Sequence, residues 1–221
     1  VSNAGPDQNF CGTGVTLAAN NPTVGTGGWT FAPSNVGTGG AFANATLFNS
    51  GFTGTAGQTY ILRWTITNGV CTASTDDVQI RLDQAPTTAN AGTDQTGASA
   101  ICGTSTTLAG NAAVIGTGVW SISAGAGGSF VTPTSPTTVF NGVAGTTYTL
   151  TWTITNGVCA ASADNVAVAL QQAPTVSNAG PDQNFCGTGV TLAANNPTVG
   201  TGGWTFAPSN VGTGGAFANA T

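Results

Sequence analysis

Apolar and polar residues alternate with a period of two in short runs along this chain. Val15, Leu17 and Ala19 are separated by polar or small residues, and Trp29 with Phe31 and Trp120 with Ile122 do the same. The longest run places Tyr60, Leu62, Trp64 and Ile66 on one face and Arg63, Thr65 and Thr67 on the other. Val78, Ile80 and Leu82 then alternate with Gln79, Arg81 and Asp83. The pair of runs returns at Tyr148, Leu150, Trp152 and Ile154, followed by Val166, Val168 and Leu170. A period of two is the mark of a half-buried strand. Asn68–Gly69 and Asn156–Gly157 lie between the paired runs, and Asn-Gly is a strong signal for a tight hairpin. Six or seven short strands in about 88 residues, with frequent turn signals, predict an antiparallel β-sandwich.

The pattern recurs because the sequence does. Residues 1–46 and 176–221 are identical. A weaker repeat lies at about half that spacing. "TAGQTYILRWTITNGVCTASTDDV" at 55–78 is echoed by "VAGTTYTLTWTITNGVCAASADNV" at 143–166, and "QAPT" follows at 84–87 and 172–175. The expected organisation is a repeat of type A at 1–87, a repeat of type B at 88–175 and an incomplete copy of type A at 176–221. The third copy lacks the Tyr–Trp hairpin and the last strand. The sequence contains no Met and no signal peptide, so it reads as a window on a longer array. The linkers "QAPTTANAG" and "QAPTVSNAG" contain Pro86 and Pro174, which stiffen the backbone, and no Gly/Ser tether. They predict a semi-rigid, end-to-end array.

Composition narrows the function. There is no His and no Met, and Lys and Glu are missing too; the formal net charge is −5 from two arginines and seven aspartates. Two arginines cannot neutralise a nucleic-acid backbone. No apolar run approaches the ~20 residues of a membrane-spanning helix. Catalysis lacks its usual acids, bases and nucleophile motifs. The adjacent pair Asp76–Asp77 becomes Asp164–Asn165 in the second repeat, and neighbours on a strand point to opposite faces. The chain is expected not to be an enzyme.

The five cysteines resolve into two per complete repeat, Cys11 with Cys71 and Cys102 with Cys159, plus Cys186 as the copy of Cys11. One disulfide within each repeat is the simplest arrangement, and it implies an oxidising compartment outside the cytoplasm. A loop of about 60 residues closed in this way is worth roughly 4 kcal/mol in the chain-entropy account. The alternative is pairing across a junction, such as Cys159 with Cys11. It arises because Cys71 follows the last hairpin turn while Cys11 lies near the turn between the first two strands. In an ordinary sandwich those turns are at opposite ends, too far apart to bond. Free buried thiols are the third arrangement. Zinc is disfavoured, since no CxxC pair or His exists.

No cofactor is implied, and calcium is the one ion with candidate ligands. Asp7, Asp94 and Asp182 occupy equivalent "GPDQ"- or "GTDQ"-type turns, within reach of Asp76 or Asp77 if the turns fold toward them. The plainer reading is an Asp that hydrogen-bonds its own turn. "NAT" at Asn44–Thr46 matches the N-glycosylation pattern. Trp29, Trp64, Trp120 and Trp152 could present stacking faces to sugars, but with Tyr60 and Tyr148 they fall on the apolar faces and are expected in the core.

The ordered series "AGPDQ…CG…VTLA…GTGxW…AGxTYxLxWTITNGVC…DDV" resembles the PKD-like and immunoglobulin-like repeats of very large cell-surface adhesins of Bacteroidota. The Tyr after "TAGQ" and "VAGT" also resembles the tyrosine corner of immunoglobulin-like domains. The adhesin resemblance covers the whole chain. It implies tandem β-sandwiches arranged end to end, export by the type 9 secretion system and an extracellular, cell-surface location. It also implies a shaft or adhesive role, in some relatives within filaments that serve gliding. The partners implied are neighbouring repeats, an outer-membrane anchoring or secretion machinery, and surface polysaccharide or a solid surface. Two functions follow: a stalk that projects an adhesive region, or repeats that each bind a surface and act by avidity.

Overall fold

The computed structural model describes residues 1–209 and 212–220. The incomplete copy expected at 176–221 therefore runs over Asn210, Val211 and Thr221, which lie outside the described residues. The protein is all-β, with a 3-10 turn at Gly97–Ser99 as its helical element among the described residues.

The first half contains β1 (Gln8–Cys11), β2 (Gly14–Thr16), β3 (Thr26–Phe31), β4 (Ala41–Phe42), β5 (Gly51–Thr53), β6 (Thr59–Thr67) and β7 (Ser74–Asp83). The second contains β8 (Ile101–Cys102), β9 (Ser105–Thr107), β10 (Thr117–Ala124), β11 (Ser129–Phe130), β12 (Val139–Asn141), β13 (Thr146–Thr155) and β14 (Ser162–Gln171). Each set forms a four-stranded and a three-stranded sheet: β1-β7-β6-β3 with β2-β5-β4, and β10-β13-β14-β8 with β11-β12-β9. The facing sheets enclose separate cores. Trp29, Phe52, Tyr60, Leu62, Trp64, Val78, Ile80 and Leu82 build the first; Trp120, Phe140, Tyr148, Leu150, Trp152, Val166, Val168 and Leu170 build the second.

The two aromatic clusters match except that Ile122 stands where the first has Phe31. Trp29 lies opposite Trp64 in the β3–β6 register, with ring centroids 5.1 Å apart, and Trp120 repeats this against Trp152. Glycine makes room for the large indoles: a Cβ at Gly27 or Gly118 would lie 2.1 or 2.2 Å from the Cζ2 of Trp64 or Trp152, far inside van der Waals contact. The Tyr60 hydroxyl accepts from Thr55 N–H at 2.8 Å and donates to Thr38 C=O at 2.6 Å. Tyr148 does the same with Val143 and Ala126. Both tyrosines are buried, so their hydroxyls need these partners. The return of the Tyr hydroxyl to the backbone a few residues upstream is the corner of an immunoglobulin-like sandwich.

The sheets differ from the sequence expectation in two respects. They are mixed, because β1 pairs with β7 and β8 with β14 in parallel, at the edge of the larger sheet. The chain then crosses to the smaller sheet at Gly12 or Gly103, both with positive φ. Nor do the Asn-Gly pairs make two-residue hairpins. The β6–β7 register ends at Ile66↔Ser74, and residues 68–71 form a turn in which Cys71 N–H donates to Asn68 C=O. The β13–β14 connection repeats it with Cys159 and Asn156.

Candidate functional site at the junction of the two sandwiches

Of the cysteine arrangements left open by the sequence, the within-repeat pairs Cys11–Cys71 and Cys102–Cys159 are overturned and the pairing across the junction is the one observed. Cys11 is bonded to Cys159, with Cα atoms 4.8 Å apart, while Cys71, Cys102 and Cys186 are free and exposed. The reason is positional. Cys11 ends β1, beside Asp83 at the end of β7, whereas Cys71 lies in the loop that begins β7. A ten-residue strand separates the two levels, a span of roughly 30 Å at strand rise. A disulfide needs Cα atoms within about 7 Å. The loop that does reach Cys11 is the β13–β14 turn of the second sandwich.

Asp83 organises this contact. It is 4% exposed, a buried charge. Its Oδ2 accepts from Val158 N–H at 2.9 Å and its Oδ1 from Arg81 Nε at 2.7 Å. Its backbone C=O accepts from Gly12 N–H at 2.8 Å, and Asn156 Nδ2 donates to the neighbouring Gln84 C=O at 2.7 Å. Gly157 must be glycine on two counts: its φ is +52°, and a Cβ there would overlap the Asp83 carboxylate. On the other side of the linker, Thr87 Oγ1 accepts from Val114 and Ile115 N–H, and Thr87 N–H donates to Ile115 C=O. The junction is thus held by a covalent bond, a buried carboxylate and a threonine clamp.

The Val158 N–H holds the Asp83 carboxyl below the usual carboxylate range, burial opposes this, and Arg81 adds to the lowering. A carboxyl with a depressed folded-state pKa contributes stability above its unfolded pKa of about 3.9, and that contribution is lost as pH falls through the folded value. Acid should therefore loosen the junction while the disulfide stays closed. Denaturation curves at pH 7 and in the acid range should show this loss, and Asp83→Asn should reduce it. An unchanged acid response in Asp83→Asn would assign the effect to Asp77, whose carboxyl is also lowered, by the Arg63 guanidinium.

Asp7, Asp76, Asp77, Asp94 and Asp164 serve the folding of each sandwich. Ala4 N–H donates to Asp76 Oδ2 and Gln79 N–H to Asp7 Oδ1, both at 2.8 Å. Ala91 to Asp164 and Ala167 to Asp94 repeat these bonds. The carboxylates tie the N-terminal segment of each sandwich to its last strand. Asp77 instead pairs with Arg63 in two bonds of 2.7 and 2.8 Å, replaced in the second sandwich by Thr151 with Asn165. Asp182 is exposed. Among the described residues no three His, Cys, Asp or Glu groups gather as a metal site. Trp29, Trp64, Trp120 and Trp152 are buried, so none offers an open face to a sugar ring. Asn44 is exposed, and its Oδ1 accepts from Thr46 N–H and hydroxyl. No described helix is long and apolar enough to cross a membrane.

Sequence reasoning missed Asp83, Gly157 and Thr87. The contacts that make them a junction, Val158 N–H to Asp83, Gly157 against Asp83 and the Val114 and Ile115 N–H groups to Thr87, join residues far apart in the chain, where no local pattern reaches.

No family description matches the chain, and no characterised protein matches it by sequence. Solved structures with a similar course of strands include sidekick-1 immunoglobulin domains 1–5, at 11% identity and TM-score 0.48, over 80% of this chain and 39% of that one. Murine CEACAM1b is similar at 11% identity and TM-score 0.45, over 75% and 96%. The insect immune protein hemolin is similar at 14% identity and TM-score 0.41, over 77% of this chain, which spans 46% of hemolin.

Proposed function

We propose that this chain is a segment of the shaft of a long extracellular filament or adhesin stalk, built from alternating type A and type B repeats, 1–87 and 88–175, with 176–221 opening the next type A repeat. The shaft holds an adhesive region away from the cell surface, for attachment or gliding, and leaves the cell by the type 9 route that its sequence resemblance implies. Its partners are neighbouring repeats and an outer-membrane anchor. The observation that carries this reading is the junction. A disulfide, a buried carboxylate and a threonine clamp join sandwiches that already have separate cores. Such bonding resists bending and extension, which a spacer needs and a flexible string of binding modules does not. A disulfide also suits an oxidising exterior. In a solenoid-like array, where each unit contacts its neighbours, near-identical copies are interchangeable.

Small-angle scattering on the chain, with adsorption to polysaccharide beads and glass, tests the reading. The expected result is a narrow, extended distance distribution, with each repeat adding roughly 30–45 Å from strands of 7–10 residues at about 3.3 Å per residue plus loops. Adsorption should be negligible. A compact or widely sampling pair of sandwiches that adsorbs in proportion to repeat number would favour repeats that bind surfaces themselves.

A further inference from the structure

The junction presents two half-sites, and each sandwich also carries the half that its neighbour does not use. The donor half is the turn Asn156–Gly157–Val158–Cys159, and its counterpart Asn68–Gly69–Val70–Cys71 has the same sequence. Gly69 has φ +55°, matching +52° at Gly157, and Cys71 N–H bonds Asn68 C=O as Cys159 N–H bonds Asn156 C=O. The environments differ. Val158 is 54% exposed and Cys159 is buried, whereas Val70 is 105% exposed and Cys71 is exposed.

The acceptor half is Cys11 beside Asp83. Its counterpart is Cys102 beside Gln171, in the same parallel register. Gly103 N–H donates to Gln171 C=O at 3.0 Å, as Gly12 N–H does to Asp83 C=O. Gln171 retains a side-chain acceptor where Asp83 has its carboxylate. The connection into the third copy also repeats the connection into the second: Thr175 Oγ1 accepts from Thr198 and Val199 N–H, and Thr175 N–H donates to Val199 C=O.

We propose that Cys102 and Gln171 of a type B repeat receive the Asn68–Cys71 turn of the type A repeat that follows it, closing a Cys102–Cys71-type disulfide, so that every junction of the array is covalently stapled. The proposal rests on the tandem-array reading above. In the step, two thiols give up two protons and two electrons to a disulfide-class oxidant. The thiolate of one cysteine displaces a thiol from the mixed disulfide formed at the other, leaving one S–S bond and two reduced oxidant thiols. The staples overlap. Each joins an early residue of one repeat to a late residue of the next. The shortest covalent route along the array then leaves the second cysteine of a type B repeat for the first cysteine of the next type A repeat, 27 residues from Cys159 to Cys186 for each A–B pair instead of 175 at up to ~3.6 Å each. Unfolded repeats would lengthen the shaft by only about one-sixth of their contour.

The test extends the full 221-residue chain after Thr221 with its own residues 47–175, giving four complete repeats, and oxidises it with a glutathione redox pair. Non-reducing peptide mapping should recover Cys102 joined to the third repeat's copy of Cys71, alongside two bonds of the Cys11–Cys159 type. Cys102 recovered as a free thiol, or joined to Cys71 of its own neighbour or to Cys186, overturns the proposal even where scattering shows an extended rod. In Cys102→Ser the B–A staple should vanish while both A–B staples remain, and the third repeat's copy of Cys71 should be recovered as a free thiol; its recovery in the disulfide seen in the parent would equally overturn the proposal.

Discussion

Trp152→Ala is expected to destabilise the second sandwich by about 3–5 kcal/mol, the range for truncating a large aromatic in a packed core. The indole is 1% exposed, lies against Trp120 with centroids 5.1 Å apart, and fills the space left by Gly118. Its Nε1–H also donates to Asn111 C=O at 3.1 Å. The first sandwich supplies an internal comparison. Trp64 is equally buried, but its Nε1–H has no hydrogen-bond partner. Its truncation loses packing without losing a hydrogen bond, so Trp64→Ala should cost about 1 kcal/mol less than Trp152→Ala. Denaturant unfolding followed by fluorescence of the remaining tryptophans measures both. A cost under 1 kcal/mol at either position would mean that the paired indoles do not hold the sheets together.

Opening the Cys11–Cys159 bond should have the other large effect. The bond closes a loop with a sequence separation of 148. The chain-entropy account assigns such a loop about 5 kcal/mol, above the typical 2–4. Cys159→Ser, made with Cys71, Cys102 and Cys186 replaced by Ser to prevent exchange, should lower the denaturant midpoint and widen the distribution of distances between the sandwiches. Both cores should survive, because neither contains a residue of the other. Gly157→Ala should widen that distribution with the disulfide intact, since its Cβ displaces the Asp83 carboxylate. Loss of the folded cores in Cys159→Ser would show instead that the staple maintains the sandwiches themselves.

Much of each sandwich was legible along the chain. Tyr60 to Ile66 and Val78 to Leu82 alternate in the sequence and alternate in burial, because an antiparallel strand with one face in the core must. The tyrosine corner was legible because its bonds span only five and 22 residues. The parallel β1–β7 edge was not: Gln8–Cys11 is short and mostly exposed, so it carries no period of its own. The Asn-Gly signal marked the turn but not its length, since residues 68–73 make a longer connection. Asp76 and Asp77 looked alike in sequence, yet opposite faces send one to a backbone N–H and the other to Arg63.

The identical segments separate what sequence determines from what tertiary structure decides. Local features are the same in both copies. Asn3 N–H bonds Asn20 Oδ1, as Asn178 N–H bonds Asn195 Oδ1; Trp29 stacks on Phe42 at 6.3 Å, as Trp204 does on Phe217. All of these partners lie within the repeated 46 residues. Yet residues 8–42 form four strands, while among the described residues of 176–220 there is none. Leu17 is 1% exposed and its copy Leu192 is 40% exposed. The strands of the first copy bond to β5, β6 and β7, which residues 51–83 supply and the 46-residue segment does not contain. A strand's hydrogen bonds go to another strand, so its sequence sets which face is apolar and its turns, but only a partner satisfies its backbone. The cysteines follow the same rule at larger scale: their spacing counts two per repeat, and only the packing of one sandwich on the next brings Cys159 to Cys11.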